Sequence, residues 1–116
     1  MSGWIGVDFD RTLAVYNGWK GYNHLGEPIM PMVDRIKRWL ANGVEVRIFT
    51  ARWCDVENRQ TLQTLMHAWL AKLDIPPLKI TNEKDFDTIE IWDDIAVGVE
   101  PNTGQCRMGP TGRPLW

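Results

Sequence analysis

The first apolar segment of the chain carries two carboxylates where a buried strand would end. Residues 5–9 (IGVDF) are nearly continuous in apolar character, which is typical of a strand buried on both faces of a parallel sheet. Asp8 and Asp10 lie two positions apart, and residues at that spacing in an extended chain point to the same side. Because unpaired charges are costly to bury, this segment predicts a polar site at the end of a central strand.

Strand-like and helix-like segments alternate along the rest of the chain. The Asn-Gly pair at residues 17–18 predicts a small β-hairpin flap after the first strand. Two amphipathic helices are predicted, one from Pro31 to Gly43 and one from about Asp55 to Leu73. Further strands are predicted at residues 44–50, 78–81, 88–92 and 96–100.

This order of segments predicts an α/β fold. Strands that alternate with helices favour a three-layer sandwich with a mostly parallel five-stranded sheet and right-handed crossovers. At 116 residues, the chain is predicted to form one domain, with a core at about residues 4–101 and an irregular tail at residues 102–116.

Composition excludes several classes of protein. Hydrophobic residues make up 44% and charged residues 24%, which is typical of a folded domain and not of a disordered chain. The apolar runs are too short for a membrane span, and no signal peptide is recognised. Cys54 and Cys106 lack metal-ligand spacing, so a reducing, cytoplasmic location is expected. The net charge of −2 gives no general attraction to nucleic acid.

Polar side chains follow several of the predicted strands. Ligands of such sheets bind at the carboxyl ends of the strands. The residues expected there are Asp8, Asp10, Thr50, Arg52, Asp93 and Asp94, with Lys84 in the loop before the fourth strand. Two carboxylates about 4 Å apart repel by about 4 kcal/mol at an effective dielectric constant near 20. Oxygen ligands of this kind suit Mg²⁺, although raised carboxyl pKa values are the alternative.

A divalent cation, a lysine and a threonine beside carboxylates meet the needs of phosphoryl transfer. The cation and Lys84 would neutralise charge on the transferring oxygens, while Thr50 would donate a hydrogen bond. One carboxylate of the first pair can attack phosphorus and form an aspartyl-phosphate. The other can protonate the leaving oxygen and later deprotonate a water molecule.

The order of four motifs resembles the haloacid dehalogenase superfamily of phosphotransferases. The motifs are DFDRTL, a strand ending in Thr (RIFTA), a following Lys, and a strand ending in two acids (IEIWDD). The resemblance spans about residues 4–101 and is closest to short phage- and prophage-type phosphatases. It implies a Rossmann-like sandwich without a cap domain and a phosphomonoester hydrolase activity that depends on Mg²⁺.

The resemblance also implies roles for individual residues. Asp8 would be the nucleophile and Asp10 the general acid and base. The metal would be held by the Asp8 side chain, the Asp10 carbonyl oxygen and one acid of the pair Asp93 and Asp94, with Asp94 favoured. The phosphoryl group would be held by Thr50 and Lys84.

Three cationic positions leave alternatives open. Lys79 is a weaker rival of Lys84, because Lys79 lies inside the presumed third strand. Arg52 either contacts the substrate phosphate or pairs with Asp55. Arg11 stands where many family members have Gly, and a bulky cation there would shape the edge of the site.

The sequence indicates the substrate only as a broad chemical class. An open site accepts a phosphorylated small molecule or a nucleic-acid end, or it is completed by the C-terminal tail or by a second subunit of a homo-oligomer. Trp19, Trp53 and Trp116 are the tryptophans least easily buried and either stack a nucleobase or anchor loops by packing.

Two other functions use the same residues. A receiver-type phosphoacceptor module also has an acidic pocket with a Thr and a Lys, although its phosphorylated Asp follows a later strand than its acid pair. A non-catalytic protein that binds metal and phosphate would retain every expected group. Turnover of p-nitrophenyl phosphate, compared between the wild type and Asp8→Asn or Asp10→Asn variants, discriminates between these readings.

Overall fold

A computed structural model describes residues 2–107 of the chain as an α/β fold. Four strands and two α-helices follow one another in the order β1 (Trp4–Val7), α1 (Met30–Ala41), β2 (Glu45–Phe49), α2 (Arg59–Ala71), β3 (Ile80–Thr81) and β4 (Thr88–Trp92). Two short 3₁₀ turns, Ala51–Cys54 and Val56–Asn58, precede α2. The strands form one parallel sheet in the order β3-β2-β1-β4.

The first helix begins and ends close to where the sequence signals predict. Pro31 lies in the first turn of α1, where its missing N–H costs no hydrogen bond. Gly43 follows the end of α1 with a φ of +79°, a conformation in which a side chain would be strained. The second predicted helix begins later than expected, because residues 51–58 form 3₁₀ turns.

Both helices cover the same face of the sheet. The helices contribute apolar side chains to one core cluster together with Ile5, Val7, Val46 and Ile48, which are partners across β1 and β2. Two right-handed crossovers that run in the same direction along a sheet place their helices on one side. The described part of the chain therefore has helices on one face of the sheet, and the predicted three-layer sandwich is not confirmed.

The opposite face of the sheet is covered by a chain segment and not by a helix. Trp4 is fully buried on this face, and its indole N–H donates to Asp85 at 3.0 Å. The Arg47 guanidinium lies 4.5 Å from the centre of the Trp4 ring. The connection between β3 and β4 thus crosses this face on its way from one edge of the sheet to the other.

The predicted hairpin at residues 17–18 is not formed. Gly18 has a φ of +107°, whereas Asn17 is not among the residues with positive φ, and a type I′ turn requires positive φ at both positions. Pairing occurs instead between residues that are further apart in sequence. Val15 N–H donates to the Glu27 carbonyl and Ile29 N–H donates to the Leu13 carbonyl, both at 2.8 Å. Residues 16–26 form one wide loop, called here the 16–26 loop.

The predicted fifth strand is also absent from the described residues. Ile95, Val97 and Val99 are between 41% and 54% exposed and do not extend the sheet beyond β4. Instead, Val99 forms an isolated antiparallel bridge with Cys106. A local pairing across a short turn loses less chain entropy than a new crossover to β4 would. Most of the predicted irregular tail, residues 108–116 with Trp116, lies outside the described residues.

None of the helices in residues 2–107 has the length and apolar character needed to cross a membrane.

Candidate functional site

Asp8 lies at the carboxyl edge of the sheet because β1 and the neighbouring edge strand β4 end beside each other. Its backbone N–H donates to the Trp92 carbonyl at 2.9 Å, which extends the pairing of β1 with β4 by one residue. The Trp92 ring packs against Trp39 of α1 at 5.3 Å, and Arg35 lies 4.7 Å from the Trp92 ring centre. The chain after Trp92 is therefore held next to Asp8.

Three of the predicted acids converge at this edge. Oxygen atoms of Asp8, Asp93 and Asp94 all lie within 4.8 Å of one another. Asp93 accepts a hydrogen bond from the Ile95 N–H at 3.1 Å, which fixes the turn after β4. Both members of the final pair thus face Asp8, and the structure does not single out Asp94.

The acid cluster makes Asp8 difficult to ionise. The pKa of Asp8 is raised to about 7 from an ordinary value of 3.8, and burial is the largest cause. A hydrogen bond with Asp94 and the negative charges of Asp93, Asp94 and Asp10 supply the rest of this rise. A cation bound among these oxygens would reverse the effect, because it would favour the charged carboxylate.

The donor atoms are of the type that Mg²⁺ binds, and they lie up to 4.8 Å apart. Carboxylate oxygens are the hard ligands that Mg²⁺ takes, with water and substrate phosphate completing an octahedron. With Mg–O distances of about 2.0–2.1 Å, ligand oxygens stand roughly 3–4 Å apart, so the observed cluster needs only small adjustments. Asp8, Asp93 and Asp94 are the side chains that would hold the ion.

Asp10 has a different partner. Its two carboxylate oxygens accept hydrogen bonds from Arg52 Nε at 2.8 Å and Arg52 Nη2 at 2.9 Å, which is a bidentate ion pair. The Arg52 side chain is only 5% exposed, and Nη1 donates to the Tyr22 carbonyl at 2.9 Å. Arg52 thus pairs with Asp10 and not with Asp55, the partner weighed from the sequence.

Arg52 also lies between two aromatic rings. Its guanidinium carbon is 5.7 Å from the centre of the Phe9 ring and 5.2 Å from that of Trp19. Phe9 belongs to the core, whereas Trp19 belongs to the 16–26 loop and is 61% exposed. One arginine therefore connects Asp10, the core and the loop.

Thr50 is buried at the carboxyl end of β2 and lines the acid cavity. This cavity has a volume of about 420 Å³ and also contains Asp8, Asp10, Asp93 and Asp94 in its wall. The Thr50 hydroxyl oxygen accepts the Arg52 N–H at 3.1 Å, and its own proton remains free to donate. The structure brings Thr50 together with the acids, as the sequence predicts.

Lys84 does not line the acid cavity. It lines a separate cavity on the helix-free face, together with Phe86, Ile89 and Ile91. The connection from β3 to β4 leaves the carboxyl edge after Asn82 and crosses the helix-free face, and Lys84 lies on this connection. This topology explains why the predicted meeting of Lys84 with the acids is not observed, and its predicted contact with phosphate stays a prediction.

Asn82 and Tyr16 also line the acid cavity, although the sequence analysis did not assign them a chemical role. Asn82 follows the carboxyl end of β3 and donates to Cys54 Sγ at 3.4 Å, so the rule of strand ends could have found it. Tyr16 begins the 16–26 loop, and its ring lies 5.4 Å from the Arg11 guanidinium carbon. No sequence signal distinguishes Tyr16 from a packing tyrosine.

Arg11 adopts a backbone conformation that favours glycine. Its φ is +72°, where a side chain costs about 1–2 kcal/mol. The Gly found here in many members of the resembled family would adopt this conformation without strain. Of the described cationic residues that line the acid cavity, Arg11 stands alone.

Trp53 and Trp19 differ in their surroundings. Trp53 packs at the edge of the core, and the Arg59 guanidinium lies 4.8 Å from its ring. Trp19 keeps most of its surface exposed. Anchoring by packing therefore explains Trp53, whereas Trp19 is available for a ligand.

Comparisons of the chain with protein-family models, with curated proteins and with solved structures found no match. A function for this protein is therefore inferred from the geometry of the site.

Proposed function

We propose that this protein is a Mg²⁺-dependent phosphomonoester hydrolase that acts through an aspartyl-phosphate on Asp8. The convergence of Asp8, Asp93 and Asp94 within 4.8 Å at the carboxyl edge of a parallel sheet carries this proposal. The proposal includes membership of the haloacid dehalogenase superfamily, a cytoplasmic location, and a phosphorylated small molecule or a nucleic-acid end as substrate.

Asp8 would act as the nucleophile. Its carboxylate oxygen attacks phosphorus while the bond to the leaving oxygen breaks, and Asp10 gives that oxygen a proton. Asp10 then takes a proton from water, whose oxygen attacks phosphorus and releases inorganic phosphate and Asp8. The bound Mg²⁺ would neutralise phosphoryl charge and keep Asp8 ionised.

Hydrogen-bond donors around the acid cavity would hold the phosphoryl group. The Thr50 hydroxyl lines the cavity and has a free proton. Arg11 supplies a positive charge in the same cavity. The contacts proposed for Arg52 and Lys84 require these side chains to move, because Arg52 is paired with Asp10 and Lys84 lies on the helix-free face.

The ion pair between Asp10 and Arg52 bears directly on the proton transfer. Both carboxylate oxygens of Asp10 accept hydrogen bonds from Arg52, whereas a general acid must present an oxygen to the leaving group in the first step. Asp10 would have to release at least one hydrogen bond to Arg52 before it protonates the leaving oxygen. This requirement favours the second candidate, a protein that binds metal and phosphate without turnover.

Turnover assays with p-nitrophenyl phosphate and Mg²⁺ separate these candidates. We expect turnover in the wild type, loss to background in Asp8→Asn and a strong reduction in Asp10→Asn. Asp34→Asn, an exposed acid on α1, serves as the matched control and should retain the wild-type rate. Equal rates in all four proteins would end the phosphatase proposal.

Mass spectrometry of acid-quenched protein tests the intermediate. A phosphoryl group on Asp8 that disappears as product forms supports the hydrolase. A long-lived phosphoryl group, formed from a small phosphodonor without release of phosphate, would instead support the receiver-type module.

A further inference from the structure

A second cavity adjoins the acid cavity. It has a volume of about 490 Å³, within the range of small-molecule sites. The two cavities share four wall residues, Asp10, Tyr16, Ala51 and Cys54. A single ligand can therefore extend from one into the other.

Asp10 lines both cavities, and this position indicates which part of a substrate each cavity would hold. Asp8 lines the acid cavity but not the second one, so the phosphorus atom belongs in the acid cavity. A general acid must lie within hydrogen-bond reach of the leaving oxygen. Since Asp10 lines both cavities, the group attached to that oxygen belongs in the second cavity.

The wall of this second cavity is aromatic. Tyr16, Trp19 and Tyr22 of the 16–26 loop line it. One side of Trp19 faces the Arg52 guanidinium at 5.2 Å, and 61% of its surface is exposed. Arg52 Nη1 also binds the Tyr22 carbonyl, which ties this part of the loop to the site. The aromatic wall is thus held next to Asp10.

We propose that the second cavity binds the nucleoside part of a nucleoside monophosphate, with the base stacked on Trp19. This inference rests on the proposed hydrolase function and names its substrate class. A planar base offers a π-face to aromatic side chains, and each such stack strengthens binding by roughly 5- to 100-fold.

The charge around both cavities favours a mononucleotide over a polynucleotide end. Their walls hold five carboxylates but only two guanidinium groups, and one of these, Arg52, is paired with Asp10. The carboxylates are those of Asp8, Asp10, Asp55, Asp93 and Asp94. Flanking phosphates of a polynucleotide need cations around the site, and this surface would repel them.

The test compares AMP with ribose 5-phosphate, which has the same phosphoester but no base. We expect wild-type kcat/KM to be at least tenfold higher for AMP. Trp19→Ala should bring the ratio of the two kcat/KM values close to one, and Trp19→Phe should restore most of it. Phe86→Ala, which removes a fully exposed aromatic ring in a different cavity, should leave the ratio at its wild-type value.

Either of two results would overturn the inference: equal kcat/KM for the two esters in the wild type, or a ratio that does not change in Trp19→Ala. A 3′-phosphorylated oligonucleotide that is hydrolysed tenfold faster than AMP would overturn the choice of a mononucleotide.

A binding measurement keeps this test separate from the phosphatase proposal. Isothermal titration calorimetry of the Asp8→Asn variant compares AMP with ribose 5-phosphate. Tighter binding of AMP that depends on Trp19 would support the nucleoside site even if no ester is hydrolysed. Equal affinities of AMP and ribose 5-phosphate would contradict it, whatever the activity.

Discussion

Asp8 and Asp10 are two residues apart in sequence, yet they lie in opposite electrostatic surroundings. Asp8 faces Asp93 and Asp94, and burial among these acids raises its pKa to about 7. Asp10 accepts two hydrogen bonds from Arg52, whose guanidinium is buried between Phe9 and Trp19. Within residues 2–107, no cation forms a salt bridge with Asp8, whereas Asp10 is paired with Arg52.

Two acids that are neighbours in sequence thus lie in different electrostatic environments. The proposed function places a divalent ion on the Asp8 side, where its charge would offset the three acids. On the other side, Arg52 already pairs with Asp10. Four changes to these two environments should have effects of decreasing size.

Loss of the Arg52 side chain should have the largest effect on stability. Arg52→Met leaves Asp10 partly buried without its partner, and we expect the free energy of unfolding to fall by about 3 kcal/mol. Urea denaturation measures this change. The double variant Arg52→Met with Asp10→Asn should recover at least 1 kcal/mol, because no unpaired charge remains. A single-variant loss below about 1 kcal/mol would contradict the role given to this ion pair.

The raised pKa of Asp8 predicts that the metal-free protein loses stability as pH rises. The folded state binds the Asp8 proton more tightly than the unfolded state does, so this contribution is complete below about pH 4 and is lost as pH approaches 7 and passes it. After allowance for solvent screening at this partly exposed site, we expect a loss of about 2 kcal/mol.

Urea denaturation in EDTA at pH 4.5 and pH 8 measures this loss in the wild type and in Asp8→Asn. The Asn variant should gain stability relative to the wild type as pH rises, because it has no proton to lose. Asp34→Asn controls for the general effect of removing a carboxylate. A wild type and an Asp8→Asn variant with the same pH dependence would show that Asp8 is not strained by its neighbours.

Mg²⁺ should stabilise the protein through the Asp8 side. A concentration tenfold above the dissociation constant adds about 1.4 kcal/mol, or a rise in Tm of roughly 4–6 °C. Thermal unfolding with and without MgCl₂ measures it, and the rise should disappear in Asp8→Asn and Asp93→Asn. A rise that survives both substitutions would place the ion elsewhere.

Replacement of Arg11 by Gly should have the smallest effect on stability, and in the opposite direction. The φ of +72° strains any side chain, so relief of this strain offsets the entropy cost of glycine and leaves a gain of about 0.5 kcal/mol. Asp74→Gly, at a φ of +59° far from the acids in sequence, is the matched control and should gain a similar amount. Destabilisation by Arg11→Gly alone would show that the Arg11 side chain offsets the acid cluster in the metal-free protein.

Local patterns predicted the regular elements well. Pro31 and Gly43 mark the start and the end of α1 as predicted. The short segments rich in β-forming residues form β1, β2 and β4 close to their predicted positions. The rule that polar residues at the carboxyl ends of parallel strands meet at one edge found Asp8, Thr50, Asp93 and Asp94. These predictions succeed because they depend on spacing within a few residues and on the direction of the strands.

Predictions that depended on distant partners were not confirmed. Residues 96–100 have strand-like spacing but pair locally with residues near Cys106, and the Asn-Gly pair at residues 17–18 lies within a wide loop. Lys84 follows β3 closely in sequence, yet the chain has already begun to cross the helix-free face at that point. β-propensity is a property of one segment, whereas strand pairing also depends on the residues that pack against that segment in the fold.

The order of the segments and the alternation of side chains were enough to predict an α/β fold with acids at the carboxyl edge of its sheet, because these patterns are present in the local sequence. The pairing of Arg52 with Asp10, the separation of Lys84 from the acid cavity, and the positions of Tyr16, Trp19 and Tyr22 beside Asp10 became clear only in the folded chain. These outcomes depend on contacts between residues far apart in sequence, where burial and charge, and not local spacing, select the partner.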